Sequence, residues 1–314
     1  MKGKSILLAL SGSRQSHYAA EVCWQLARKL GSTITAHHVI DSHSAWEFLG
    51  HENPGFLASQ KYLDVYQELV SKLFVLGEEL AQKYAEEAKV LGVDDACIID
   101  EGDPIKQICK RAVDHKMVII GHRPSTSKQV LSSQFQRLSL AESLAHECPR
   151  PLLIVQDECQ QWTSLSIMVS LDHINELFIN SSLDMAEALG LRPALLCLTG
   201  GANEETPENL VRDLRQANER LERLPIALVP AQKELSVSVD QWYAPDDLPF
   251  EKQLWDNPLM VIPTRMIAGE RITVFDGSPA YFVRYLTLPS IMLWPEEYVF
   301  SITRDYLRPT STAR

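Results

Sequence analysis

Short unbroken apolar runs alternate along this chain with longer segments whose apolar residues recur every third or fourth position. That alternation leaves few folds open. A run of Val, Ile and Leu with no polar face must be buried on both sides, as in a parallel sheet covered by helices. Strands are expected at residues 5–10, 33–40, 96–100, 117–121 and 152–156. Between the first two, Ala19, Ala20, Cys23, Ala27 and Leu30 fall at helical spacing, so one stripe of a helix faces the sheet. Gly31 ends that helix, since glycine enters the left-handed conformation without strain. A second helix is expected over 59–91, after an irregular stretch at 42–54. A third covers 104–115, with Asp103 as its N-cap and Pro104 at its first position. The fourth covers 135–147 and stops before Pro149-Arg150-Pro151.

After a polar linker at 157–164 the same order begins again. A strand at 166–171, a helix at 175–189, a strand at 193–198 and a helix at 206–224 are followed by 225–257, where prolines and acidic residues break the pattern. A strand at 258–262, a helix at 278–286 and a strand at 290–294 complete the series. Matching order in two halves indicates an internal duplication, and 314 residues suffice for two cores. The division is therefore 1–157, 164–297 and an extension 298–314, docked through Tyr298, Phe300 and Tyr306. The runs 152–155 and 291–294 would be aggregation-prone as bare sheet edges, and pairing them satisfies both.

A net charge of −11 leaves no basic stripe for nucleic acid. No stretch approaches the ~20 apolar residues that span a bilayer. The opening MKGKSILLAL turns polar too soon for a signal peptide and reads as a strand. Six cysteines without CxxC spacing read as buried thiols of a reducing compartment, so a cytoplasmic protein is expected. Of the histidines that could hold a metal (His37, His38, His43), the first two are adjacent on a strand and point to opposite faces, one buried and one exposed. Cys148 and His146 stand two apart on a helix and do not face each other, so no nucleophile–base pair emerges. The expectation is a binding protein, not an enzyme.

The letters at the strand ends add a resemblance. Ile6-Leu7-Leu8-Ala9-Leu10-Ser11-Gly12-Ser13, Ala36-His37-His38-Val39-Ile40, Glu101-Gly102-Asp103-Pro104 and Val118-Ile119-Ile120-Gly121 occur in the order found in universal stress proteins. Ser139-Leu140-Ala141-Glu142-Ser143-Leu144 through Pro149 to Val155 resembles that family's last helix and strand. The second half resembles it more loosely, through Ile167 to Asp172, Met260-Val261-Ile262 and Asp276-Gly277-Ser278. The resemblance implies an α/β fold of two tandem doubly wound five-stranded parallel sheets, strand order 3-2-1-4-5. The two sheets would join through their last strands as an intrachain pseudo-dimer.

It also implies a nucleotide site where the strand order reverses. Nucleotide-binding members resemble one another in a motif after the fourth strand: Gly, two residues, Gly, nine residues, Gly, then Ser or Thr. Here Gly121 and Ser139 remain, while Pro124 and Leu138 stand at the other glycines and Ser11 replaces an Asp. Pro124 has no N–H to donate. His122, Arg123 and Lys128 bring basic side chains to the phosphate position. In the second half Asp172 and Gly277-Ser278 match, but Pro263-Thr264-Arg265 does not; Asp172 also suits a helix cap. The expected site is a degenerate pocket of Ser11, Gly12, Val39, Gly121, His122, Arg123 and Ser139. Its ligand would be a small anion or nucleotide, ATP or ADP, and protein partners or a homodimer are compatible with it. Residues 11–16 have some likeness to the pyrophosphatase loop of ATP-dependent adenylating enzymes of related fold, but lack its second Gly and its Asp.

Overall fold

A computed structural model describes residues 5–49, 59–92, 95–123, 138–158, 161–170, 174–199, 207–230, 257–264, 283, 288–295 and 297–300. The first half runs β1 (Ser5–Ala9), α1 (Arg14–Leu30), β2 (Thr33–Ile40), α2 (Ser42–Phe48), α3 (Ser59–Val90), β3 (Asp95–Glu101), α4 (Pro104–Ala112), β4 (Met117–Gly121), α5 (Leu140–Glu147) and β5 (Leu152–Val155). The second runs β6 (Ser164–Ser170), α6 (Glu176–Leu189), β7 (Arg192–Thr199), α7 (Pro207–Ala217), β8 (Ile226–Pro230), β9 (Pro258–Pro263) and β10 (Ser290–Trp294).

Local chemistry sets the helix ends. The Ser13 hydroxyl accepts from the Ser16 N–H to open α1, and Gly31 closes it at φ 56°. Asp103 accepts from Ile105 and Lys106, with Pro104 following, to open α4. Asn175 caps α6, and Gly190 ends it at φ 65°.

The strands form one sheet in the order β3-β2-β1-β4-β5-β10-β9-β6-β7-β8. Read from either outer edge, each half has its third, second, first, fourth and fifth strand in turn. Pairing within each half is parallel. The halves meet through β5 and β10, which pair antiparallel with Ile154 opposite Ile291 and Leu153 opposite Met292. One face of the sheet is covered by α1, α3, α6 and α7 through residues such as Trp24, Tyr84, Phe178 and Leu214. The other is covered by α4 and α5 through Ile108, Ala112, Ala141 and Leu144. The join is reinforced outside the sheet: α1 packs on α6, and Gln156 Nε2 donates to the Val283 carbonyl at 3.0 Å. Trp162 Nε1 donates to Ser290 Oγ at 2.9 Å. After β10, Tyr298 and Phe300 pack on Trp294, and Arg150 stacks over Tyr298.

Several expectations change. Residues 42–54 do not start as an irregular stretch: Asp41 accepts from the Ser44 N–H and opens α2. The helix expected from 135 begins at Leu140, because Ser139 is its cap and Leu138 precedes it. The helix expected to reach 224 stops at Ala217, where the Asn218 side chain accepts from Arg220 N–H and starts a 3₁₀ turn. The broken stretch after 225 contains β8, whose flanking prolines are tolerated because it is an edge strand. His38 is half-buried, not exposed: Gly77 lets α3 settle on it, and a Cβ there would lie 2.9 Å from the ring. Of the helix expected at 278–286 only Val283 is described, helical and buried. Pro124, Lys128, Asp172, Arg265, Gly277 and Ser278 lie outside the described residues.

Candidate functional site

β1 has β2 on one side and β4 on the other, so the chain leaves these strands toward opposite faces and the strand order reverses at their carboxyl ends, the place where ligands bind in open α/β sheets. The turn after β1 is tied to itself. The Ser11 N–H donates to Ser16 Oγ at 2.8 Å, and the Ser11 and Ser13 hydroxyls lie 3.0 Å apart. Gly12 sits in this turn with open space beside it: a Cβ would meet nothing within 4 Å. Gly121, at the end of β4, is the opposite case. A Cβ there would fall 2.3 Å from the carbonyl carbon and oxygen of Gln15 and 2.4 Å from the Ser16 nitrogen. The first turn of α1 thus lies directly against β4, and Gly121 brings the two motifs together.

Past Gly121, the His122 N–H donates to the Val155 carbonyl at 2.8 Å, extending the sheet ladder by one residue. Its ring is buried, which lowers its pKa, while the charge of Glu142 acts in the raising direction. Arg123 is exposed. Ser139 and Glu142 form a reciprocal cap on α5: the Ser139 N–H donates to Glu142 Oε2 at 2.7 Å, and Ser139 Oγ accepts from the Glu142 N–H at 3.2 Å. Val39 is half-buried on β2, two residues beyond His37, and packs on the α4–α5 side. The structure therefore brings Ser11, Gly12 and Gly121 around one turn and sets His122 within the electrostatic reach of Glu142.

One constellation was not anticipated. His37 on β2, Asp100 on β3 and Arg111 on α4 converge: His37 Nε2 lies 2.9 Å from Asp100 Oδ2, and Arg111 donates to both oxygens of the same carboxylate. The Arg111 hydrogen bond is the main reason that the Asp100 pKa falls to about 2. Burial lowers that of His37. A neutral His37 beside a carboxylate must carry its proton on Nε2, which leaves Nδ1 a bare acceptor; it is buried and unpartnered among the described residues. The available signal was an Asp within a strand and an Arg eleven residues on, at the end of a helix capped by Asp103. Burial pushes the Cys109 thiol up to about 11 and the Cys148 thiol up to about 12, which disfavours the nucleophilic thiolate at both. Among the described residues no cluster of His, Cys, Asp and Glu could hold a metal, and no helix is long and apolar enough to cross a membrane.

Comparison with known proteins bears on this geometry. Residues 3–156 match the model of the universal stress protein family. This half of the chain belongs to the universal stress protein family. Similar solved structures extend the fold across both halves. A universal stress protein from Archaeoglobus fulgidus DSM 4304 aligns over 94% of this chain and 100% of its own, with 16% identity and a TM-score of 0.58. A putative universal stress protein from Pseudomonas aeruginosa UCBPP-PA14 aligns over 93% of each chain, with 14% identity and a TM-score of 0.52. No curated protein matches the chain in sequence. Within the universal stress protein half, the strand order reverses between β1 and β4.

Proposed function

We propose that this chain is a cytoplasmic stress-response binding protein. It would consist of two universal-stress-protein-like domains, 1–157 and 164–297, with 298–314 as an extension, and a degenerate nucleotide site in the first. That site is bordered by Ser11, Gly12, Val39, Gly121, His122, Arg123 and Ser139. The observation that carries the reading is the contrast between the glycines: Gly12 leaves open space at the strand-order reversal, while Gly121 is spent on packing against α1. Polar groups around that space are partly committed, Ser11 N–H to Ser16 and Ser139 N–H to Glu142. Pro124 and Leu138 further remove glycine positions at which backbone donors would meet phosphates. Each hydrogen bond to a charged group contributes ~1.5–3 kcal/mol. Losing two weakens binding by about two to four powers of ten.

Affinity for ATP or ADP is then weak and rests on basic side chains. Calorimetry should show weak binding that disappears in Arg123→Ala/Lys128→Ala. Tight, low-micromolar binding that survives both substitutions would overturn the reading.

A further inference from the structure

α3 is 32 residues long, about 48 Å at 1.5 Å per residue, against 17 residues for α1. It carries more apolar surface than the sheet covers. One stripe, Val70, Gly77, Tyr84 and Ala88, is buried, and Gly77 rests on His38 and Ile99. A second stripe lies alongside, at Tyr62, Leu69, Leu73 and Leu76, in steps of three, four or seven residues, and ends where Leu80 turns in to pack on the core. That is the spacing of a coiled-coil seam. Leu69 and Leu73 are half-buried, Leu76 is 59% exposed and neighbouring Val65 52% exposed. Tyr66, on the side toward α2, meets Trp46 edge to face and is already covered.

The charges beside this seam are arranged for an identical helix. Lys61, Glu68, Lys72 and Glu79 lie along its outer flank, and Glu68 and Lys72 pair within the helix at 2.6 Å. In an antiparallel pair related by a two-fold axis at the level of Val70, positions equally far before and after residue 70 face each other. Lys61 and Glu79 are each nine residues from it, and Glu68 and Lys72 each two. Every one of these charges then meets its opposite. The same axis leaves Leu69 and Leu69 of the second copy offset by two residues, about 3 Å along the helix and within contact reach, and drops Leu76 between Tyr62 and Val65 of that copy. Apolar and charged residues thus select one register independently. The fifth-strand edges β5 and β10 are consumed within the chain, so a second copy needs another surface.

We propose that two copies of this chain associate through the outer flank of α3, antiparallel, with the two-fold axis at the level of Val70. Sedimentation velocity of the full chain tests this. The parent should sediment as a dimer. Lys61→Glu/Lys72→Glu turns all the facing pairs repulsive and should weaken association by roughly two powers of ten. Adding Glu68→Lys/Glu79→Lys restores complementarity and should restore the dimer. Val65→Asp/Leu76→Asp should be monomeric, with circular dichroism matching the parent. A parent that is monomeric at its highest soluble concentration overturns the proposal. So does a four-residue charge swap that folds like the parent but stays monomeric, or a Lys61→Glu/Lys72→Glu protein that dimerises as the parent does.

Discussion

Gly12 and Gly121 flank the same turn and look alike in sequence, yet the structure gives them different work. At Gly121 an added methyl would lie 2.3 Å from main-chain atoms of Gln15, none of which can rotate away. Gly121→Ala should therefore cost about 3 kcal/mol or more, by pushing α1 off β4. At Gly12 the methyl enters open space, so Gly12→Ala should stay within about 0.5 kcal/mol of the parent. Urea titration of the two variants checks both. Equal losses would mean that the approach of α1 to β4 is not tight. A ligand seated beside Gly12 would feel the Ala substitution there without any change in stability, which separates binding from folding at this turn.

Among the elements, β2, β3 and α4 are fastened by His37, Asp100 and Arg111, and that fastening depends on pH. His37 is held below its ordinary value by burial, so its contribution is complete above about pH 6.5. Below that, the unfolded chain takes up a proton that the folded chain resists, and stability falls. Asp100 keeps its charge down to about 2, so a second loss begins near the ordinary carboxylate value and runs down to that point. His122, also lowered by burial, adds to the first window. Urea midpoints should thus decline from pH 7 to pH 5 and again below pH 4. Arg111→Met should cost about 1–2 kcal/mol at pH 7, allowing for partial exposure, and progressively less toward pH 2. A midpoint that rises between pH 7 and pH 5 would contradict this. The strands themselves were readable because an apolar run buried on both faces needs no knowledge of its neighbours. β8 was hidden because Pro225 and Pro230 suit only an edge, and being at the edge is a property of the whole sheet. The turn that joins β1 to α1 beside β4 was readable from Ser11-Gly12 and Gly121. The Asp100 cluster was not, because its three members come from separate elements, and only the register of β2 on β3 places His37 near Asp100.

For the whole molecule the decisive contact is β5 on β10. Ile154 is fully buried there, opposite Ile291. Ile154→Lys would place an unpaired charge in that seam and should cost more than about 3 kcal/mol. Because the sheet is continuous, amide exchange should quicken in β4 and β9 alike. A variant that melts like the parent would show that water reaches this edge. The antiparallel sense of the same contact has a further result. Strands β1–β5 and strands β6–β10 end at opposite rims of the sheet, so the two strand-order reversals face away from each other. No single small molecule can bridge them. The ligand site proposed for the first half and any counterpart in the second would therefore be filled separately.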